Sequence, residues 1–393
     1  MLILFFIVVI DLIGFGIIIP LLPFYGEFFH ANPTTVGLLM ATYSLGQFIA
    51  APFWGNLSDR IGRKPVLLFS MIGSVLGYLL MGFAESLWLL FASRAIGGFM
   101  AGNISAAFAY IADVTTAENR AKGMGLIGAA FGLGFIIGPA IGGLLAGNDP
   151  ATANYHYPAF AAAGLSFLAV IGTLFFLKES LSEEHRAKLA SGPKKSRLHA
   201  FRQCLNNPAL RQALLISFLA TFAFAGLEAT FAMWSRRQFG WGPEQNGYLF
   251  AFIGLISALI QGGLVGRLSR RFGEARLIVQ GAAALSIGIA LITISDTLPL
   301  LVLAMSIATY GFSIISPALN SLISLKTDAA NQGSIMGATR SVTTMARVTG
   351  PAWAGYLFAT LGMNWPYYAG ALVMAAVCIM AIISLNGVFS DKS

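Results

Sequence analysis

The sequence predicts an all-α polytopic membrane protein, with twelve transmembrane helices in two pseudo-symmetric six-helix halves. Three observations carry that expectation. Of the 393 residues, 57% are hydrophobic and only 10% are charged, whereas a soluble domain carries about 25% charged residues. About twelve apolar runs approach the ~20 residues that cross a bilayer as a helix. Finally, the charged turns between those runs recur at a fixed distance along the chain. A membrane β-barrel would instead show short alternating segments.

The first span runs over about 2–25 and carries Asp11, followed by Gly14 and Gly16. Pro20 and Pro23 predict a kink or an end near its outer face. Span two, about 36–54, leads into a charged turn, Gly55-Asn-Leu-Ser-Asp59-Arg60-Ile-Gly-Arg63-Lys64. Spans three (about 65–83) and four (about 87–112) follow, the latter with Arg94 and Asn103. A second inner turn, about 113–122, leads into span five, which is rich in glycine: Gly134, Gly138-Pro139, Gly142 and Gly143 stand among others. Small residues at such spacings let helices approach closely in lipid. Span six runs over about 157–177. The polar stretch 178–208 reads as a cytoplasmic linker, dividing the chain into an N-terminal half, 1–177, and a C-terminal half, 209–393.

The second half echoes the first. Gly266-Arg-Leu-Ser-Arg-Arg-Phe-Gly aligns with Gly55-Asn-Leu-Ser-Asp-Arg-Ile-Gly at an offset of 211 residues. Ala329 to Gly337 aligns with Ala117 to Gly125, and Gly350-Pro351 with Gly138-Pro139, both at 212. A repeat of this size points to duplicated structural units, and parallel six-span halves are the architecture of major facilitator transporters.

The net charge of +8 is explained by topology. With both termini cytoplasmic, nineteen Lys and Arg fall in inner loops and the tail and only two, Arg236 and Arg237, outside. That is the positive-inside asymmetry, so no nucleic-acid partner is expected. The two cysteines, Cys204 and Cys378, fall in the linker and the last span, and neither a disulfide nor a metal site is expected. No cofactor is implied, and no metal-ligand cluster, nucleophile–base pair or phosphate loop suggests an enzyme.

Several motifs are similar to those of one family. The Gly55–Lys64 turn resembles its signature loop, Leu90-Phe-Ala-Ser-Arg94-Ala-Ile-Gly97-Gly98 its span-four arginine motif, and Gly132 to Gly143 its span-five antiporter motif. Asp11 to Pro23 and Arg237-Gln-Phe-Gly240-Trp241 are similar to further signatures. Over its whole length the chain resembles the major facilitator superfamily, and within it the twelve-span drug:proton antiporters of the tetracycline-efflux-like group. One departure stands out: Gly77 occupies the span-three position where tetracycline pumps carry an acid, and no acid lies between Leu277 and Ile294. That departure argues against tetracycline itself as the substrate.

The expected function is therefore proton-coupled export of small lipophilic or amphipathic compounds, multidrug or tetracycline-like, by alternating access. A proton-coupled symporter importing a sugar or organic acid is the alternative, which the Gly138-Pro139 motif disfavours. Asp11, Arg94, Glu228, Arg340 and Arg347 fall inside spans, where each costs about 2.5–3.5 kcal/mol at a helix centre unless paired or hydrated. Asp11 and Glu228 are candidates for proton or substrate coupling, and the resemblance implies a coupling role for Arg94. Asp59 is placed to act on the N-terminus of span eleven, a favourable place for an anion. The resemblance implies a conformational latch there, built from Gly55, Asp59, Arg63, Asp113 and Arg340. It also assigns Gly134, Gly138, Pro139 and Gly142 to the antiporter motif. Gln47, Asn103, Phe135, Gln261, Tyr310 and Asn320 are candidates to line a substrate cavity near the midplane. The expected setting is a bacterial inner membrane, with a monomer, protons, a small-molecule substrate and membrane lipid as the interacting species.

Overall fold

The computed structural model describes residues 1–181, 197–328 and 331–385. Among these residues every regular element is helical. The first group is α1 (Leu2–Ile18), α2 (Leu22–Phe28), α3 (Pro33–Ile61), α4 (Arg63–Gly82), α5 (Leu87–Met100), α6 (Asn103–Val114), α7 (Ala117–Ala146) and α8 (His156–Phe176). After the linker helix α9 (Arg197–Asn206) come α10 (Pro208–Phe239) and α11 (Pro243–Leu259), which continues through a π-helical turn at Ile260–Leu264 into α12 (Val265–Phe272). The series closes with α13 (Glu274–Ile292), α14 (Leu298–Leu325), α15 (Gln332–Thr360) and α16 (Trp365–Leu385).

Among the described residues ten spans are long and apolar enough to cross a membrane, or eleven if α1 and α2, bent by 41°, are one span. The bend falls at Gly-free Ile19-Pro20-Leu21, where Pro20 removes a helical hydrogen bond. Helix α15, with 29 residues, is long enough to cross as well, and Arg340 and Arg347 make it more polar than the others. Span four is broken between α5 and α6. There the Trp54 indole donates to the Phe99 carbonyl at 2.6 Å, and the Ser70 hydroxyl donates to the Met100 carbonyl. Side chains of neighbouring helices thus satisfy groups that a continuous helix would bond itself, an arrangement tolerated at membrane depth when buried in protein.

The packing forms two compact units, Met1–Pro193 with Ser235–Leu255, and Lys194–Trp234 with Ile256–Ser393. This division departs from a cut at 178–208, because the outer end of α10 and most of α11 pack onto α2 and α7. In the first unit α1 packs on α7 and α8, α3 on α5, and α4 on α5 and α8. In the second, α13 packs on α14 and α16, and α9 lies against α15 with Cys204 fully buried.

Candidate functional site

Asp11 and Arg94 lie in the interior of the first unit, 6% and 5% exposed. The Ser166 hydroxyl on α8 donates to the Asp11 carboxylate at 3.1 Å, so α1 turns this acid toward α8. Arg94 lies over the Tyr43 ring, 4.4 Å from its centroid, a favourable cation–π geometry where water is excluded. Its Nε is buried without a hydrogen-bond partner among the described residues. A small cavity beside it is lined by Tyr43, Ser74, Gly77, Tyr78 and Ser93. Gly77, the departure noted in span three, therefore borders the Arg94 site itself. The charges of Asp11 and Arg94 both act on Tyr43 and Tyr78. Phe15 packs on Tyr43 (5.2 Å) and on Phe135 (6.3 Å), which continues the aromatic wall from α3 to α7. Asp11 and Arg94 thus share a largely buried polar surrounding that includes Tyr43 and Tyr78.

The charged turn folds around Arg63. Helix α3 ends at Ile61 and Gly62 takes φ 110°, a conformation that a side chain would strain. Arg63, only 6% exposed, reaches Asp59 at 2.6 Å, Ser58 at 3.0 Å and Asp113 at 3.0 Å. Charge-assisted bonds of this kind contribute about 1.5–3 kcal/mol each, less for the half-exposed Asp59. Glu179 completes the node: its two carboxylate oxygens accept from the backbone N–H groups of Arg63 and Lys64 at 2.9 and 3.0 Å. It caps the N-terminus of α4, where an anion is stabilised. The sequence reading missed Glu179, since only the fold brings it 116 residues back to Arg63. Gly55 lies near the end of α3 with open space around it, and Arg340 belongs to the other unit.

Helix α7 presents two glycine faces. A Cβ on Gly134, Gly138 or Gly142 would collide with the backbone of α1 between Leu12 and Ile17, so these glycines hold α1 and α7 in backbone contact. On the other face Pro139, Gly143 and Phe135 meet Gly247, Pro243 and Gly254 of α11 in the same way. The outer end carries an ion cluster that the sequence reading also missed: Glu27 accepts from Arg236 at 2.9 Å and lies 3.7 Å from Arg237. The signal was available, because these are the only two outer-loop bases and Glu27 closes the first span. Tyr155 stacks on Tyr25 beside them at 5.0 Å, and burial pushes its phenol well above the usual tyrosine range, with Arg236 pulling the other way.

In the second unit Glu228, 10% exposed, is paired with Arg347 at 3.5 Å. Arg347 was recognised in the sequence as an in-span charge but not assigned to the site. Gln261 sits in the π-helical turn and donates to Ser257 at 2.9 Å, which in turn bonds Ser313 at 2.9 Å. Tyr310 is half-buried and Asn320 exposed, both on α14, and Gln47 is half-buried on α3. Asn103 begins α6, but its side chain lies outside the described residues. Substrate candidates thus occur in both units, and Asp11 and Glu228 belong to different ones.

Comparison with known proteins gives this arrangement its family. The family model described as Major Facilitator Superfamily matches residues 4–351, and the chain belongs to that superfamily of membrane transporters. Among individual relatives, it is 31% identical over 387 residues to the class C tetracycline resistance protein of Escherichia coli, covering 95% of this chain and 94% of that one. It is also 31% identical to multidrug resistance protein 2 of Bacillus subtilis (strain 168), with 92% and 89% covered. The crystal structure of the human organic anion transporter MFSD10 (TETRAN) superposes with a TM-score of 0.70 at 26% identity, covering 96% and 98%. The protein is a multi-pass membrane transporter rather than an enzyme.

Proposed function

We propose that this transporter exports small lipophilic or amphipathic compounds in exchange for protons, by alternating access about a site near the membrane midplane. The observation that carries the proposal is the Asp11–Tyr43–Tyr78–Arg94 cluster, in which Asp11, Tyr78 and Arg94 are buried and Arg94 lies over the Tyr43 ring. A carboxylate and a guanidinium at this depth are costly, and their retention in a transporter of this family is accounted for by proton coupling. Arg63 with Asp59 and Asp113 serves as the inner latch, with Gly55 leaving room for movement. Gly134, Gly138, Pro139 and Gly142 fix α1, and Asp11 with it, on α7. The asymmetry of inner and outer bases supports a bacterial cytoplasmic membrane with both termini inside; the protein acts there as a monomer. Gln47 and Phe135 in the first unit, and Gln261, Tyr310 and Asn320 in the second, are the residues that contact substrate in this reading.

The test is the sign of substrate-linked proton movement in vesicles carrying a pH-sensitive dye. Exchange predicts that substrate and protons cross in opposite directions. Movement of both in the same direction would establish the symporter instead.

A further inference from the structure

Arg347 is a charged group within a span of the second unit that the transport cycle above leaves without a task. It lies near the middle of α15, 15 residues after Gln332 and 13 before Thr360, which places it roughly 20 Å from either end at 1.5 Å per residue. That is too deep for an arginine to snorkel to an interface. Even so, its side chain is 42% exposed. A guanidinium cannot face hydrocarbon at that depth without a large cost, so this face of α15 is wet. Of five N–H donors, one is engaged with Glu228, at the long distance of 3.5 Å. The rest of the planar fork is geometrically suited to a carboxylate, sulfonate or phosphate. Glu228 engages Arg347 through one carboxylate oxygen.

We propose that Arg347 anchors an anionic group of the substrate, so that the compounds carried are amphipathic organic anions; this rests on the transporter reading above. The substrate's carboxylate or sulfonate sits on the free edge of the guanidinium while Glu228 keeps its own bond. The flanking rings of α10, α14 and α15 take the apolar part: Phe224 stacks on Phe312 at 3.9 Å, and Phe222 packs on Trp353 at 4.8 Å.

The test is equilibrium binding of three probes of one shape to the purified full-length protein: 1-naphthaleneacetate, its neutral amide, and the corresponding ammonium compound. Arg347→Gln alone strands Glu228, so the informative variants are Arg347→Lys and the double variant Glu228→Gln/Arg347→Gln, each checked for folding by its melting curve. The native protein is expected to prefer the anion roughly 10–100-fold, the range of one charge-assisted hydrogen bond. Arg347→Lys keeps the charge without the fork and retains part of that preference, and the double variant loses it. Equal binding of the three probes, tighter binding of the ammonium, no binding of any of them, or a preference surviving in the double variant overturns the proposal. Gradient-driven export of an amphipathic dye from the same preparation is scored separately. Intact export without anion preference overturns the substrate class alone, and absent export overturns the transporter reading.

Discussion

Gly138→Ala provides a sharp test of the packing that holds the acid-bearing helix in place. A Cβ at this position would lie 2.6 Å from the carbonyl carbon of Gly16, 2.7 Å from its Cα and 2.8 Å from the Ile13 oxygen. Ordinary contact begins near 3.4 Å, so the shortfall is about 0.8 Å, and every colliding atom is backbone. The helices must separate, which also disturbs the close approaches at Gly134 and Gly142. Overpacking of this kind costs typically 1–3 kcal/mol, and the upper part of that range applies because no side chain can rotate away. Replacing glycine by alanine inside a helix recovers about 1 kcal/mol of propensity, leaving a net loss of roughly 1–2 kcal/mol. Gly128→Ala, on the same helix with nothing within 4 Å of its Cβ, is the control and should be neutral or stabilising by up to about 1 kcal/mol. The assay is thermal unfolding of both purified variants beside the native protein. A lower melting temperature for Gly138→Ala with none for Gly128→Ala is expected. Gly138→Ala melting at or above the native protein, or Gly128→Ala falling as far, would refute the reasoning.

Three further outcomes are expected. Glu179→Ala removes both bonds from the start of α4 and should cost about 0.5–2 kcal/mol, as for other helix caps, read as a lower melting temperature with Arg60→Ala as an exposed control. Asp113→Asn leaves Arg63 with Asp59 as its remaining carboxylate. It should lower export rates more than it lowers melting temperature if the node acts as a latch, and equal falls would make it a purely structural strut. Cys204 is fully buried, and burial pushes its thiol above the ordinary cysteine value. Its thiolate fraction at neutral pH is therefore below that of a free thiol, and maleimide labelling at Cys204, resolved by peptide mapping, should be slow until detergent denaturation exposes it.

Much of the architecture was legible because membrane helices announce themselves by length and apolarity, and because the duplicated turns give the repeat away. Pro20 predicted the bend between α1 and α2. The break in span four was invisible, since it is made by Trp54 and Ser70 bonding carbonyls 45 and 30 residues away, and no local sequence signal marks it. The site divided along the same line. Asp11 and Arg94 stood out because charges in apolar runs are costly, and the Arg63–Asp113 contact that the family resemblance implied is present. Their partners did not stand out. Ser166, Tyr78 and Glu179 are ordinary residues until folding brings them to Asp11, Arg94 and Arg63. Glu228 stood out as Asp11 and Arg94 did, while its partner Arg347, on a helix 119 residues further on, could not be assigned to it without the fold.

The most direct test of proton-coupled export is movement of an amphipathic dye in sealed vesicles under an imposed pH gradient, with native protein and Asp11→Asn compared. Asparagine keeps an oxygen to accept from Ser166, so the fold should survive while the proton site is lost. The account predicts dye movement opposed to the proton flux in the native protein, collapsed by a protonophore and absent in Asp11→Asn. Dye movement that ignores the gradient, or that persists at the native rate in Asp11→Asn, would contradict it.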